Sequence, residues 1–177
     1  RLLGEPPIDI LEAIGPNRML GQYQIEAPLG TGAFGAVFRA RDMLLDRMVA
    51  LKILRPPGTA ALPTDSLLAE ARAAAALNHP NVCTVYAVDT SNGAPMIVME
   101  YVAGESLSAQ LESGPLTHES AAAYGRQIAA GMAAAHAAGV VHGDLKPANL
   151  MVTSSGTIKI MDFGLARRLP GPERQAE

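Results

Sequence analysis

The chain has 177 residues, of which 49% are apolar and 18% charged, and its formal net charge is −3 at pH 7. This composition is typical of a globular domain, and the acidic balance argues against nucleic acid or an anionic membrane as the main partner. Cys83 is the only cysteine, which excludes a disulfide framework and a cysteine-based metal site. No apolar run reaches the roughly 18 residues of a membrane span, and the Pro-broken start is unlike a signal peptide. We therefore expect a cytoplasmic chain, or the cytoplasmic part of a longer, membrane-anchored one.

The first predicted elements are two strands joined by a glycine-rich turn. Residues 1–21 form a predicted tail with a short helical turn at Ile8–Ile14, and alternation from Tyr23 to Leu29 predicts a strand. Gly30–Gly35 holds three glycines, and Ala36–Ala40 predicts a second strand. Such a turn lets the backbone approach a ligand closely. The β-branched and aromatic residues that follow favour a strand over the helix of a dinucleotide-binding motif, and a hairpin without a ligand is the alternative.

A third strand over Met48–Leu54 is apolar except for Lys52. Burying a lysine is costly without a partner, so Lys52 either lies on a solvated strand face or points beneath the glycine-rich turn towards phosphates. A helix is predicted over 65–77, with Thr64 or Asp65 as N-cap. Glu70 on this helix is either a partner for Lys52 or a solvated side chain.

Two further strands, over 82–88 and 95–101, complete a β-rich region of five strands and one helix. Ala103-Gly104 reads as a linker. Helices are then predicted over 106–111 and 117–138, the longer one capped by Thr117 and closed by Gly139. Its apolar stripe of Tyr124, Ile128, Met132 and Ala135 must pack against another element.

The loop His142–Asn149 contains the groups that phosphoryl transfer requires. Asp144 is a candidate base, Lys146 a cation for a phosphate, and Asn149 a carboxamide metal ligand. A hairpin over 150–160 follows, and Asp162 comes directly after its second strand. Because Mg²⁺ prefers few protein oxygens together with phosphate oxygens, Asn149 and Asp162 are a candidate Mg²⁺ site. The alternative is a polar loop between a helix and a hairpin.

Five motifs now agree in order and spacing: Leu29–Val37, Val49–Lys52, Glu70, His142–Asn149 and Asp162–Gly164. With them the chain resembles a eukaryotic-type serine/threonine protein kinase domain, of the kind common in bacteria, from about residue 22 to 168. The resemblance implies an α+β, two-lobe fold. Its N-lobe, over 22–102, would hold a five-stranded antiparallel sheet and one main helix. An incomplete, mainly helical C-lobe, over 103–177, would end in the activation segment.

The resemblance also implies roles for the matching residues. Asp144 would orient the substrate hydroxyl, Lys146 would steady the γ-phosphate, and Asn149 and Asp162 would hold Mg²⁺. The cofactors would be ATP and Mg²⁺, and the substrate a protein with Ser or Thr hydroxyls. Ser/Thr rather than Tyr is indicated by Lys146-Pro147-Ala148-Asn149, which resembles the Ser/Thr form of the loop.

The nucleotide contacts implied by the resemblance come from the turn, its neighbouring strands and the segment that links the lobes. Lys52 would bind the α- and β-phosphates and pair with Glu70. The residues around the nucleotide would be Leu29, Gly30, Thr31, Gly32, Ala33, Phe34, Gly35, Val37, Ala50, Met99, Glu100, Val102 and Met151. The family also stacks four side chains in an apolar column, here Val85, Ala74, Phe163 and His142.

Two departures from the family pattern bear on function. Gly143 stands where most of the family has an arginine that receives a phosphorylated activation loop, which argues against that form of control. The chain also ends before the Ala-Pro-Glu element and the helices after it. It is therefore expected to be a truncated kinase domain that binds ATP without efficient turnover, with the stripe on its long helix left open.

Two other functions fit parts of the sequence. A nucleotide-binding pseudokinase or interaction module is one, although every ATP and Mg²⁺ residue is present. A small-molecule phosphotransferase is the other, since such enzymes share the His-Gly-Asp loop. They usually lack a lysine two residues after the aspartate and lack Asp-Phe-Gly, so Lys146 and Phe163 favour the protein kinase.

Overall fold

A computed structural model of the chain describes residues 15–32, 35–54, 74–89, 95–163 and the backbone of 167–168. The chain divides into two compact units. Unit 1 comprises Arg1–Ala61 and Ala87–Tyr101, and unit 2 comprises Leu62–Tyr86 and Val102–Glu177. Among the described residues, unit 1 is built on an antiparallel sheet and unit 2 on helices and small hairpins, which is the expected α+β division.

Unit 1 contains the predicted strands, and one more. The sheet has the order β1-β2-β3-β4-β6-β5, with β1 at Met19–Leu20, β2 at Tyr23–Gly32, β3 at Gly35–Asp42, β4 at Arg47–Leu54, β5 at Val85–Asp89 and β6 at Met96–Glu100. The pairs from β1 to β4, and β4 with β6, are antiparallel. The sequence did not predict β1, because two residues are too few to show an alternating pattern.

The two faces of this sheet differ in composition. Alternate residues of β3, β4 and β6 point to opposite faces, and one face carries a buried apolar cluster that includes Ile25, Ala36, Phe38, Ala40, Val49, Leu51, Ile53, Met96 and Val98. The intervening residues project from the other face, among them Val37, Ala50, Lys52 and Met99. The apolar core of the sheet and most of its predicted nucleotide contacts therefore lie on opposite faces.

Unit 2 has two complete α-helices in its described part, and both begin where the sequence predicts. Helix α1 is Leu107–Glu112 and helix α2 is His118–Ala137. Ser106 and Thr117 cap them, and their hydroxyl oxygens accept the N–H groups of Ala109 and Ser120 at 3.1 Å each. Gly139 follows α2 with a φ of +73°, which a glycine adopts without strain.

Five short strands and one 3₁₀ turn complete the described part of unit 2. They are β7 at Gly104–Ser106, β8 at Val140–Val141, the 3₁₀ turn at Pro147–Asn149, β9 at Leu150–Thr153, β10 at Ile158–Ile160 and β11 at Arg167–Arg168. Strands β10, β9 and β7 form one antiparallel sheet, and β11 pairs with β8. The hairpin predicted over 150–160 is confirmed, with Gly156 in its turn at a φ of +76°.

The structure corrects the linker predicted at Ala103-Gly104. Gly104 begins β7 and pairs with Thr153 of β9. A Cβ atom at position 104 would lie 2.2 Å from the carbonyl oxygen of Val152. Glycine is needed at this position because the backbones of β7 and β9 approach closely. The sequence pattern indicated a break between regular elements instead.

The strand predicted over 82–88 is displaced towards its C-terminus. Strand β5 begins only at Val85, whereas Val82 makes a parallel bridge to Ile160 in unit 2. Val82 and Cys83 are both buried. The run from Val82 is apolar throughout, so its pattern does not show that the first residues bond to β10 and the later ones to the sheet of unit 1. The start of the strand was therefore predicted too early.

The expectation that the stripe on α2 stays open is wrong. Ala135 is fully buried, and Tyr124, Ile128 and Met132 are partly buried against the apolar cluster of unit 2. That cluster includes Leu107, Val140, Leu150, Val152, Ile158, Ile160 and Phe163. The helix therefore packs its apolar side on residues that lie within this chain.

Two predicted helices fall largely or wholly outside the described residues. Of the helix over 65–77, only its end, where Ala74 and Ala75 are helical, is described. The turn at Ile8–Ile14 lies in the part that is not. A search of the described residues finds no helix whose length and hydropathy suit a membrane crossing.

Candidate active site

The glycine-rich turn of unit 1 is a strand–loop–strand hairpin, as predicted. Gly32 of β2 faces Gly35 of β3 across the turn, and Ala33 and Phe34 lie outside the described residues. Gly35 has a φ of +150°, and a Cβ atom there would lie 2.0 Å from the carbonyl oxygen of Ile53. Gly30 and Gly32 have no atom within 4 Å of an added Cβ. The close packing of β3 on β4 therefore requires a glycine at position 35, whereas the backbone at Gly30 and Gly32 is open to a ligand.

Strand register places three of the predicted nucleotide contacts of unit 1 next to one another. Gly30 lies opposite Val37, Val37 opposite Lys52, and Lys52 opposite Ile97. Directly opposed residues of antiparallel strands project from the same face, so Val37 and Lys52 share the face opposite the core cluster. Glu70 lies outside the described residues, so its pairing with Lys52 stays a prediction.

The predicted adenine contacts are divided between the two units. In unit 1, Ala50 lies opposite Met99 and both are buried, while Glu100 ends β6 opposite Val49. Leu29 and Thr31 are exposed on β2. In unit 2, Val102 is buried and Met151 lies on β9 opposite Ser106.

The loop of unit 2 that follows β8 joins its predicted catalytic residues directly. The Nζ atom of Lys146 lies 2.7 Å from Oδ2 of Asp144, and both side chains are partly exposed. The hydrogen bond from Lys146, reinforced by its charge, holds the pKa of the Asp144 carboxyl below its usual range. Asp144 is therefore an anion at neutral pH and can accept a proton or a hydrogen bond from a hydroxyl group.

Asn149 is tied to the same aspartate. Its Nδ2 atom donates to the main-chain oxygen of Asp144 at 2.8 Å and to Oδ2 at 3.3 Å. The nitrogen makes both contacts, so the amide oxygen is the atom that a cation would take. The main-chain N–H of Met161 donates to the carbonyl oxygen of Asn149 at 2.8 Å, which holds the residue before Asp162 against Asn149.

This donor set suits Mg²⁺. One carboxamide and one carboxylate are the oxygen ligands that Mg²⁺ takes when phosphate and water complete its octahedron. In the described ranges, no group of three or more His, Cys, Asp or Glu side chains could hold a metal by itself. The amide oxygen of Asn149 and the carboxylate of Asp162 fit a metal whose remaining ligands are phosphate and water oxygens.

His142 is a buried support for the loop. Its Nδ1 atom accepts the N–H of Asp144 at 3.3 Å, so a neutral ring carries its hydrogen on Nε2, which contacts the carbonyl oxygen of Met161 at 2.8 Å. The ring centroids of His142 and Phe163 lie 4.6 Å apart. Phe163 and Ala74 belong to the apolar cluster of unit 2, and Val85 packs against it. The contact of His142 with Phe163 is one step of the implied column, and the rest of the column stays a prediction.

Comparison with known proteins decides the family. The model of the protein kinase domain family matches residues 23–176. The chain belongs to the protein kinase domain family. This kinase domain is 40% identical over 156 residues to the serine/threonine-protein kinase pkn3 of Myxococcus xanthus, covering 82% of this chain and 28% of that protein.

Two further relatives carry similar names. The kinase domain is 37% identical over 159 residues to the serine/threonine-protein kinase PrkC of Bacillus subtilis, covering 86% of this chain and 24% of PrkC. It is 40% identical over 154 residues to the serine/threonine-protein kinase PknD of Mycobacterium tuberculosis, covering 86% and 23%. The chain spans 24% of PrkC and 23% of PknD, a small part of the length of each relative.

Gly143 carries no charge, and its backbone conformation is one that favours glycine. Its φ is +79°, in the left-handed region where a side chain is disfavoured. Asp162 also has a positive φ, +57°, although it is not a glycine. Asn17 and Asp46 have positive φ values as well, and aspartate adopts this region more readily than most residues, so the metal-binding role of Asp162 stays a prediction.

Sequence reasoning missed one polar group of the kinase domain. Asn81 and Gln127 are hydrogen-bonded to each other and to β10. Neither residue belongs to a motif that the sequence shows. Their spacing of 46 positions leaves no local signal by which a single sequence could have paired them.

Proposed function

We propose that this kinase domain transfers the γ-phosphoryl group of ATP to Ser or Thr hydroxyls of proteins, with Mg²⁺ as cofactor. The arrangement of Asp144, Lys146 and Asn149 carries the proposal. The Asp144 anion lies within hydrogen-bonding distance of both the Lys146 cation and the Asn149 amide, and these three groups are the set that phosphoryl transfer needs.

Each residue has a defined part in the reaction. Asp144 orients the substrate hydroxyl and accepts its proton as the oxygen–phosphorus bond forms and the bond to the β-phosphate oxygen breaks, releasing ADP. Lys146 offsets charge on the transferred group, and Lys52 holds the phosphates of ATP. When bound, Mg²⁺ neutralises phosphate charge, and Asn149 and Asp162 are its proposed protein ligands.

The proposed substrate class and location follow from the same resemblance. The loop Lys146-Pro147-Ala148-Asn149 supports Ser/Thr over Tyr, as do relatives that are named serine/threonine-protein kinases. A cytoplasmic location supplies ATP and Mg²⁺ to the site and a reducing environment for the buried thiol of Cys83.

Radiolabelled ATP with Mg²⁺ and a generic Ser/Thr protein substrate provides the test. We expect label in phosphoserine and phosphothreonine, and saturable binding of ATP in an equilibrium titration. Binding without transfer would favour the nucleotide-binding module instead. Label in a small-molecule acceptor, with none in protein, would favour a small-molecule phosphotransferase.

Replacing Lys52 should weaken nucleotide binding. Lys52→Met removes the cation proposed for the phosphates, and hydrogen bonds to charged groups each contribute about 1.5–3 kcal/mol. We therefore expect the Kd for ATP to rise by roughly 10- to 100-fold, measured by isothermal titration. Arg18→Met, a change of the same charge in a segment that precedes the predicted strands, is the control and should bind ATP as the wild type does. Equal affinities of Lys52→Met and the wild type would contradict the role of Lys52.

The pH profile should reveal the pairing of Asp144 with Lys146. Lys146 favours the ionised carboxyl and so lowers the pKa of Asp144. In the wild type, activity that needs the anion persists as pH falls, until the lowered pKa is reached. Lys146→Met raises this pKa, so the acid limb of kcat/KM should move to higher pH.

Arg126→Met is the matched control for the pH profile. Arg126 is an exposed cation on α2, and its loss should leave the acid limb in place. If the limb stays in place in Lys146→Met as well, Asp144 is not the group that titrates in the reaction.

A further inference from the structure

Strand β10 lies at the edge of its three-stranded sheet, yet its outer main-chain groups have partners. The N–H of Ile160 donates to the carbonyl oxygen of Asn81 at 2.8 Å, and the carbonyl oxygen of Ile160 accepts the N–H of Cys83 at 2.9 Å. The N–H of Ile158 donates to Oε1 of Gln127 at 2.8 Å, and its carbonyl oxygen accepts Nδ2 of Asn81 at 2.9 Å. Two side-chain amides and one chain segment thus replace a neighbouring strand.

The two amides also fix each other. Nδ2 of Asn81 donates to Oε1 of Gln127 at 2.9 Å, and Nε2 of Gln127 donates to the carbonyl oxygen of Gly156 at 3.0 Å. Both hydrogens of the Asn81 amide and both lone pairs of Oε1 are then used. Rotating either amide by half a turn would set like groups against each other, so each side chain has one orientation. We call Asn81 and Gln127, with their bonds to Gly156 and Ile158, the amide clamp.

A close approach of α2 to β10 adjoins the amide clamp. A Cβ atom at Gly131 would lie 2.7 Å from Cδ1 of Ile160 and 3.2 Å from the carbonyl oxygen of Asn81. Gly131 lies one helical turn after Gln127, on the same face of α2. The glycine lets the helix come near enough for the Gln127 amide to reach the strand.

The amide clamp is connected to both ends of the candidate site. Helix α2 leads through β8 to His142 and Asp144. Strand β10 leads to Met161, which contacts Asn149 through its N–H and His142 through its carbonyl oxygen, and then to Asp162. Fixing β10 against α2 therefore fixes the proposed metal ligands relative to the proposed base.

We propose that Asn81 and Gln127 are positioning residues of the phosphoryl-transfer site, which set Asn149 and Asp162 relative to Asp144 through β10. This inference rests on the proposed function, since it concerns ligands of the proposed Mg²⁺ site. Neither residue touches the reacting atoms. Their effect is to keep the β9–β10 hairpin from sliding along α2, a movement that would displace Asp162 and Asn149 together.

The test uses Mn²⁺ as a paramagnetic probe with saturating ADP. Gln127→Met keeps the length of the side chain and removes the hydrogen bonds of its amide. We expect it to raise the Kd for Mn²⁺ by about tenfold, as loss of partners that orient metal ligands typically does, and to leave the Kd for metal-free ADP unchanged. Equal Mn²⁺ affinities of Gln127→Met and the wild type would overturn the proposal.

Leu107→Ala separates positioning from stability. Leu107 is buried in the same apolar cluster but belongs to α1, so its truncation lowers the melting temperature without touching the amide clamp. We expect wild-type Mn²⁺ affinity from it. If Mn²⁺ affinity falls equally in Leu107→Ala and Gln127→Met at equal melting temperature, the effect is general destabilisation and the proposal fails.

Gln127→Glu is the conservative variant. It keeps an acceptor for Asn81 and Ile158 but places a carboxylate oxygen against the carbonyl oxygen of Gly156, so it should recover part of the Mn²⁺ affinity lost in Gln127→Met. No recovery would count against the clamp. Should Gln127→Met lack a cooperative melting transition, Asn81→Ser, which cannot span both bonds of the amide, takes its place with the same expected loss.

A readout without metal distinguishes failure of this inference from failure of the proposed function. If the wild type with ADP does not bind Mn²⁺, the proposed metal site is wrong. Hydrogen exchange at the Met161 amide, which donates to Asn149, then decides the positioning role. Faster exchange in Gln127→Met than in Leu107→Ala supports it, and equal exchange overturns it.

Discussion

Asp144→Asn is expected to lower kcat by roughly 10²- to 10⁴-fold, the usual contribution of a positioned acid or base. The amide cannot accept the hydroxyl proton, and it replaces the anion that lies 2.7 Å from Lys146. Affinity for ATP should change little, because Asp144 is assigned to the acceptor hydroxyl rather than to the nucleotide. Single-turnover transfer and an equilibrium ATP titration measure the two effects separately.

Glu112→Gln is the control for this change. Glu112 is an exposed carboxylate at the end of α1, and the same loss of charge there should leave both quantities as they are. Turnover by Asp144→Asn at the wild-type rate would remove Asp144 from the mechanism. Loss of ATP binding in parallel with kcat would instead give it a structural role in the loop.

Gly35→Ala is expected to destabilise unit 1 by about 3 kcal/mol or more, near the upper end for single substitutions. Two costs combine there. The φ of +150° is disfavoured for a residue with a side chain, and the new Cβ would lie 2.0 Å from the backbone oxygen of Ile53. Since the obstacle is main chain, β3 and β4 must separate to relieve it. Urea denaturation followed by circular dichroism measures the loss.

Gly30→Ala is the matched substitution in the same turn. An added Cβ at Gly30 meets no atom within 4 Å, so its free energy of unfolding should stay within about 0.5 kcal/mol of wild type, as for most exposed positions. Equal stability of Gly35→Ala and Gly30→Ala would show that the close contact at Gly35 does not constrain the hairpin.

Local patterns predicted most of the sheet and both helices of the described part of unit 2. The apolar run over Met48–Leu54 predicted a strand, which the structure contains as β4, and Thr117 with Gly139 gave the bounds of α2 within a residue. These features depend on neighbours in sequence. The order of motifs gave the family, because five short motifs in a fixed order are more specific than any one of them.

The errors share a different cause. Gly104 looked like a linker, the run from Val82 was assigned wholly to the sheet, and the stripe at Ile128 was expected to lack a partner. Each depends on an element distant in the chain: Val152 for Gly104, Ile160 for Val82, and the apolar cluster for Ile128. Contacts of this kind leave no period in a single sequence.

In the candidate site, too, local contacts could be predicted and long-range contacts could not. Asp144, Lys146 and Asn149 lie within six positions, so their association could be predicted from the loop itself. The support that Met161 and His142 give to this loop could not be predicted, because their contact joins residues 19 positions apart in different elements. The direction of the Asn149 amide was also beyond sequence reasoning, since it depends on the main-chain oxygen of Asp144.

The bond between Asn81 and Ile158 has a consequence for how the chain folds during synthesis. Its partners are separated by 77 positions, and a ribosome that adds about 5–20 residues per second takes roughly 4–15 s to cover that distance. Throughout this interval the apolar segment at Val82 and Cys83 has been synthesised, whereas β10 has not. Unit 2 therefore completes its packing only after β10 has been synthesised, and until then the segment at Val82 and Cys83 lacks the strand that covers it in the folded chain.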